Sequence, residues 1–148
     1  MKNIISEIKI KYLPKKLNNG NVKIGNSDDA YQILLNHWNK DTLELQEEFK
    51  VLLLNNSNEV LGIYEMTRGG MTATLVDIKL LFAVALKSCA TAIVTAHNHP
   101  SGKLKPSASD ISIYQKIKNA AKLLDIQYLD NLIITKEGKY SFTDDGLG

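Results

Sequence analysis

Cysteine is nearly absent from this sequence. Cys89 is the single cysteine among 148 residues, so the chain cannot form an internal disulfide framework. The Pro-Cys-x-x-Cys half of a zinc-deaminase site and the His-Glu-x-x-His motif of helical zinc proteases are also missing. Because a chain without disulfides suits a reducing compartment, we expect a cytoplasmic protein in which Cys89 belongs to the core.

Long apolar runs are missing as well. The longest apolar stretches are interrupted by Lys79, Lys87 and Asn98, well before the roughly 18 residues that a membrane-spanning helix needs. With 44% hydrophobic and 23% charged residues, the composition is that of a soluble globular protein with no membrane partner. We predict one domain over residues 1–148, with an N-terminal strand-helix extension over 1–45 and a metal-binding core over 46–148.

Basic residues are concentrated near the N-terminus. Residues 1–25 hold six lysines and one glutamate, whereas the whole chain has a net charge of +2. Such asymmetry can indicate an anionic partner such as DNA. However, Ile8, Ile10 and Tyr12 alternate with charged residues, and the glycine-rich loops and aromatic-basic interleaving of nucleic-acid-binding surfaces are missing. The pattern therefore favours an edge strand whose lysines oppose aggregation.

Hydrophobic periodicity predicts alternating strands and helices. The Ser27-Asp28-Asp29 sequence indicates a helix start, and the asparagine-rich segment 55–58 indicates a hairpin turn. Such an order of elements is typical of an α/β fold. We predict strands over residues 4–12, 48–54, 59–67, 91–97, 129–135 and 139–143, and helices over 27–38, 77–87 and 110–124.

Two histidines follow an apolar, strand-like run at residues 92–96. At the two-residue period of a strand, His97 and His99 point to the same side. Asp110 falls in the first turn of the next predicted helix, which can face the strand end across a pocket. Two imidazoles and one carboxylate are a suitable ligand set for catalytic zinc, which leaves its fourth position to water. A structural alternative is that Ser107 and Asp110 form a capping box.

The spacing of these residues resembles a known signature. The order His97-x-His99-Pro100, then six residues, then Ser107-x-x-Asp110 is similar to the motif of the JAMM, or MPN-plus, metalloproteases. The longer string His-Asn-His-Pro-Ser-Gly, which begins at the first histidine, resembles the RadC branch of that superfamily. The similarity covers about two thirds of the chain.

The resemblance has implications for both fold and cofactor. It implies a cytidine-deaminase-like α/β fold in which helices sandwich a mixed β-sheet. It also implies one Zn²⁺ per chain, bound by His97, His99 and Asp110, with Ser107 assisting catalysis. A further implication is a general acid/base glutamate on an upstream strand.

Two glutamates compete for the acid/base role. In the family this glutamate lies a few residues before an Arg-Gly pair. Glu65 matches, because it lies in a strand-like segment and Arg68 and Gly69 follow it. Glu59 adjoins the asparagine-rich turn and is typical of a solvated charge at a hairpin end. We therefore predict that Glu65 and Ser107 are the catalytic residues.

Two functions from different classes follow. The favoured one is a zinc-dependent hydrolase that cleaves an amide or isopeptide bond in a peptide or protein substrate. The alternative is a DNA-associated accessory or binding protein of DNA repair, with a structural or vestigial metal site. RadC-type proteins commonly carry an N-terminal helix-hairpin-helix module associated with DNA, and residues 1–45 show no such pattern. That departure weakens the DNA alternative.

Overall fold

Five strands form one mixed sheet in the computed structural model, which describes residues 4–9, 11–14, 22–68 and 76–146. The elements in chain order are α1 (Ser27–His37), β1 (Glu48–Leu54), β2 (Val60–Arg68), α2 (Ile78–Lys87), β3 (Ala92–Asn98), α3 (Ala108–Leu123), β4 (Gln127–Thr135) and β5 (Gly138–Ser141). The strands lie in the order β2-β1-β3-β4-β5, so β3 occupies the centre of the sheet.

The asparagine-rich turn joins β1 to β2. The side-chain oxygen of Asn55 accepts hydrogen bonds from the backbone N–H groups of Ser57 (2.9 Å) and Glu59 (3.0 Å). Asn58 has a φ of 58°, a left-handed conformation that asparagine tolerates better than most residues. The turn therefore fixes an antiparallel hairpin.

Helices cover both faces of the sheet. The central strand β3 pairs antiparallel with β1 and parallel with β4, and α3 makes the crossover between the two parallel strands. Helix α1 packs on one face through residues such as Ala30 and Leu34, while α2 and α3 pack on the other through residues such as Leu81 and Ile117. All seven residues of β3 are consequently buried. The predicted α/β class, a mixed sheet sandwiched by helices, is confirmed.

The predicted strand over residues 4–12 is wrong where the structure describes it. Residues 4–9 and 11–14 form no strand, and residue 10 lies outside the described residues. Residues 22 and 23 contact the outer edge of β2 near the hairpin instead. The Val22 carbonyl accepts a hydrogen bond from the N–H of Val60 at 2.7 Å, and Lys23 forms an isolated β-bridge with Glu59. Of the six N-terminal lysines, Lys2, Lys15 and Lys16 lie outside the described residues.

Smaller differences concern boundaries and the cysteine. Helix α3 begins at Ala108, two residues before the predicted start, and β5 ends at Ser141 because residues 142–146 form a turn. Cys89 is exposed and has a φ of 58° in the turn before β3, so its assignment to the core was wrong. In the part of the chain that the structure describes, no helix has the length and apolar character needed to span a membrane.

Candidate metal centre

The end of β3 and the start of α3 bring the predicted metal ligands together. His97 lies on β3, and the N–H of His99 bonds the carbonyl of Ile134 on β4 at 3.1 Å, which continues the strand-like alternation one residue further. A tight turn follows, in which the N–H of Gly102 bonds the carbonyl of His99 at 2.9 Å. Gly102 has a φ of 84°, a conformation that favours glycine. Both imidazoles therefore face the first turn of α3.

The three side chains converge on one point. The Nε2 atoms of His97 and His99 are 3.2 Å apart. Asp110 places Oδ1 3.2 Å from Nε2 of His97 and Oδ2 3.0 Å from Nε2 of His99. Ligands about 2.0–2.1 Å from a tetrahedral zinc are separated by about 3.3 Å. The observed separations therefore fit three ligands of one zinc ion.

A hydrogen bond at Nδ1 fixes the orientation of the His99 ring. Its Nδ1 lies 2.8 Å from the carbonyl oxygen of Lys103, which can only accept, so Nδ1 carries the proton and the Nε2 lone pair points into the cluster. Burial lowers the pKa of His99, but the protonated ring can donate from Nε2 to Asp110 and from Nδ1 to the Lys103 carbonyl; these hydrogen bonds outweigh burial, and the net pKa is raised. The surroundings of His99 therefore favour positive charge on its ring.

The ring of His97 is held by packing. It is 3% exposed and stacks on Phe49, with ring centroids 6.1 Å apart and planes 9° from parallel. Phe49 lies directly opposite His97 in the antiparallel register of β1 and β3. The strand pairing therefore sets the direction of the His97 ring.

Asp110 and Ser107 also form the capping box. The N–H of Asp110 donates to Oγ of Ser107 at 3.1 Å, and the N–H of Ser107 donates to Oδ2 of Asp110 at 2.8 Å. Burial raises the pKa of Asp110, but hydrogen bonds from His97 and His99 outweigh it and hold that pKa well below its usual range. The capping box predicted as the structural alternative is therefore present, and the same Asp110 carboxylate also faces both histidines.

A fourth side chain, Glu47, joins the cluster and was not predicted. One carboxylate oxygen of Glu47 lies within 4.8 Å of the ligand atoms of His97, His99 and Asp110. Glu47 is 8% exposed, and burial raises its pKa, although the two histidines act in the opposite direction. Among the described residues it forms no hydrogen bond or ion pair, so it stands back from the tight three-ligand group.

The strand register could have identified this glutamate. Phe49 pairs with His97 in an antiparallel register. Two residues backward from Phe49 and two residues forward from His97 therefore place Glu47 across from His99. Glu47 immediately precedes the apolar strand β1, and the sequence alone did not show that β1 pairs with the histidine strand. Knowledge of that pairing was the missing signal.

The structure does not bring Glu65 to the cluster. Strand β2 is separated from β3 by β1, a distance of about two strand spacings. Glu65 pairs in register with Lys50, its carboxylate lies 4.0 Å from the Lys50 ammonium, and Lys50 packs over Trp38 on the α1 side of the sheet. The competing Glu59 lies at the hairpin, where its carboxylate accepts from the Asn55 amide at 3.4 Å. The geometry therefore favours Glu47 over both predicted candidates.

The cluster opens into a cavity of about 330 Å³. Phe49 and Ile113 supply apolar walls, and Lys103 and Lys105 line the pocket from the loop before α3. Ser107 lines it too and is an exposed residue. A pocket of this size beside a candidate metal-binding group can accommodate part of a ligand.

A protein-family model matches most of the chain. A family model described as "RadC-like JAB domain" matches residues 24–147. The match begins inside the predicted N-terminal extension and includes every residue of the cluster. The alternation of strands and helices that positions the cluster therefore lies wholly within the matched segment.

Several bacterial relatives are similar over most of the chain. A "UPF0758 protein" of Flavobacterium johnsoniae is 44% identical over 131 residues, which is 84% of this chain and 53% of the relative. A "UPF0758 protein" of Porphyromonas gingivalis is 45% identical over 103 residues, 69% of this chain and 45% of the relative. Another from Clostridium beijerinckii is 32% identical over 143 residues, 97% of this chain and 61% of the relative. The chain spans about half the length of the curated relatives it matches.

Proposed function

The chain belongs to the RadC-like JAB domain family, and on that premise we propose that it is a zinc-dependent hydrolase of an amide or isopeptide bond. The proposed substrate is a peptide or a protein, and the proposed cofactor is one Zn²⁺ per chain. A cytoplasmic location stays a prediction from the single cysteine.

One observation carries this proposal. Two imidazole nitrogens and a carboxylate meet within 3.2 Å of one another, and a second carboxylate stands slightly further away beside a cavity. Zinc hydrolase sites combine three protein ligands with a carboxylate that is not a ligand. His97, His99 and Asp110 would hold the ion, and Glu47 would remain available for proton transfer.

Glu47 takes the acid/base role in this proposal. When bound, zinc supplies Lewis acidity at the attacked carbonyl and lowers the pKa of water to about 7. The buried Glu47 carboxylate is placed to accept the proton of the attacking water, and its raised pKa favours passing that proton to the leaving nitrogen. Its separation from the three ligands suits transfer through one water molecule.

Ser107 takes a supporting role. Its Oγ accepts the N–H of Asp110 at 3.1 Å through one lone pair, which leaves the hydroxyl hydrogen to donate. The hydroxyl lines the same cavity as Glu47. We assign this O–H to the oxygen of the substrate carbonyl, where negative charge develops during attack.

Metal analysis and hydrolysis together test the proposal. We expect protein purified without chelator to contain about one zinc per chain, and to cleave members of a panel of fluorogenic peptides and ε-lysine isopeptides. Removal of the metal by a chelator should abolish cleavage, and added Zn²⁺ should restore it. Absence of any divalent metal after gentle purification would contradict the metal assignment. Sequence-selective binding of duplex DNA that persists at about 200 mM salt, without hydrolysis, would favour the DNA-associated alternative.

A further inference from the structure

Asn98 separates the two histidines in sequence and faces the other side of the sheet. It is the last residue of β3 and is fully buried. The two-residue period of a strand directs His97 and His99 towards α3, so the Asn98 side chain points towards the segment that precedes β1. The known motif residues on either side do not explain why an amide is buried there.

The Asn98 amide makes three hydrogen bonds to one short segment. Its Oδ1 accepts from the backbone N–H of Glu48 at 2.7 Å. Its Nδ2 donates to the carbonyl oxygens of Leu43 at 2.7 Å and Gln46 at 2.8 Å. Both amide protons and the amide oxygen are therefore in use, so the side chain is fully committed to this segment.

These partners enclose Glu47. The Gln46 carbonyl belongs to the peptide unit before Glu47, and the Glu48 N–H belongs to the one after it. Fixing both peptide units leaves the Glu47 backbone little freedom to rotate, so its side chain must leave the chain in one direction. Residues 40–45 form turns and residues 46–47 belong to no strand, so the bonds from Asn98 add to the backbone bonds that the turns make within themselves.

We propose that Asn98 is a positioning residue that holds Glu47 beside the metal cluster. The proposal rests on the proposed function, in which Glu47 transfers protons. Asn98 lies between His97 and His99 in the chain. The same stretch of backbone therefore fixes the positions of the two histidine ligands and, through the Asn98 amide, the position of Glu47. Any shift of the strand end moves both together, so their separation is preserved.

Replacement of Asn98 gives the central test. We expect Asn98→Ala to keep about one zinc per chain, since all three proposed ligands remain. Its kcat should fall about ten- to a hundredfold with KM changed by less than about twofold, because proton transfer and not substrate binding is disturbed. The amide proton of Glu48 should exchange with solvent faster, since it loses its acceptor. Thr135→Val is a matched control, because it removes a buried hydrogen-bonding side chain of β4 that bonds only the β4–β5 turn.

A double mutant distinguishes positioning from general destabilisation. If Asn98 acts through Glu47, Asn98→Ala should lower the residual rate of Glu47→Gln by less than about twofold. A purely structural role would lower the rate by the same factor in both backgrounds, and that result would overturn the proposal. Loss of zinc from Asn98→Ala, or unchanged kcat with a protected Glu48 amide, would overturn it too. Should the alanine variant not fold, Asn98→Ser is measured in the same way.

The outcome is separable from that of the proposed function. If the wild-type protein cleaves no probe, the hydrolase proposal fails, while the Glu48 amide exchange and the position of Glu47 in a crystal structure of Asn98→Ala still test the positioning. Unmoved Glu47 in that crystal structure would contradict the positioning role. Displaced Glu47 with intact histidines would support it.

Discussion

Two buried polar clusters lie back to back on the β1–β3 pair. Alternate residues of these strands point to opposite faces, so His97 shares one face with Phe49 while Lys50 and Glu48 share the other. Both clusters contain carboxylates removed from water. They differ in whether the chain supplies the compensating positive charge.

The cluster on the α1 face contains its own cation. Lys50 is 2% exposed, and its ammonium lies 3.5 Å from the Glu48 carboxylate and 4.0 Å from that of Glu65. The same ammonium lies 4.5 Å from the centre of the Trp38 ring. Opposite charges and an aromatic face therefore satisfy the ammonium within the protein.

The cluster on the α3 face contains only groups that attract a cation. Two imidazole lone pairs and the carboxylates of Glu47 and Asp110 face one another, and no lysine or arginine among the described residues forms an ion pair with either carboxylate. Such a set is stable when a metal ion or protons occupy it. The contrast teaches that a cluster with its own cation can be structural, whereas a cluster of acceptors without a cation favours a bound ligand.

The largest expected effect comes from removing a metal ligand. We expect His97→Ala to lose zinc and all metal-dependent hydrolysis, while the fold persists because the core is formed by helices on both faces of the sheet. Zinc analysis measures the loss of the metal, and circular dichroism checks that the fold persists. His37→Ala, at the exposed end of α1, is the histidine control and should keep its zinc. Full zinc occupancy in His97→Ala would contradict the ligand assignment.

The next effect compares one carboxylate from each face. Glu47→Gln should keep zinc and lose about 10²- to 10⁴-fold in kcat, since general acid/base groups contribute that much. Glu65→Gln should retain its zinc and the wild-type kcat, because the Glu65 carboxylate pairs with the Lys50 ammonium on the opposite face of the sheet. Kinetics with zinc analysis on both variants decides the matter. The reverse pattern would restore Glu65 as the catalytic residue predicted from the sequence.

A third change removes the cation of the cluster on the α1 face. Lys50→Met removes the cation and leaves Glu48, which is 1% exposed, without that partner, so we expect a loss of about 3–5 kcal/mol in the free energy of unfolding. Zinc content should not change. Denaturant unfolding measures the loss, and the added change Glu48→Gln should recover much of it. Reduced zinc binding in folded Lys50→Met would show that the two clusters are coupled.

The sequence predicted much of this arrangement, and its two errors at the site have one physical cause. The β1–β2 hairpin, the strand that carries His97 and the cap at Ser107 follow from local pattern, so they were predicted near their observed positions. Glu47 was missed because its role depends on pairing between β1 and β3, and strand order cannot be derived from local periodicity. Glu65 was chosen for its local surroundings, and its position on the edge strand excludes it from the cluster.

The smallest effect separates the two roles of Ser107. Ser107→Ala loses both the helix cap and the hydroxyl, so we expect a loss of about 1 kcal/mol in stability and about tenfold in kcat. Ser107→Gly loses the hydroxyl, but glycine costs only a few tenths of a kcal/mol at an N-cap. If the hydroxyl acts on the substrate, both variants should therefore have the same lowered kcat while differing in stability. If kcat instead followed stability, with the glycine variant near wild type, Ser107 would act only as a helix cap that orients Asp110. Catalysis on the α3 face would then depend on Glu47 and the metal.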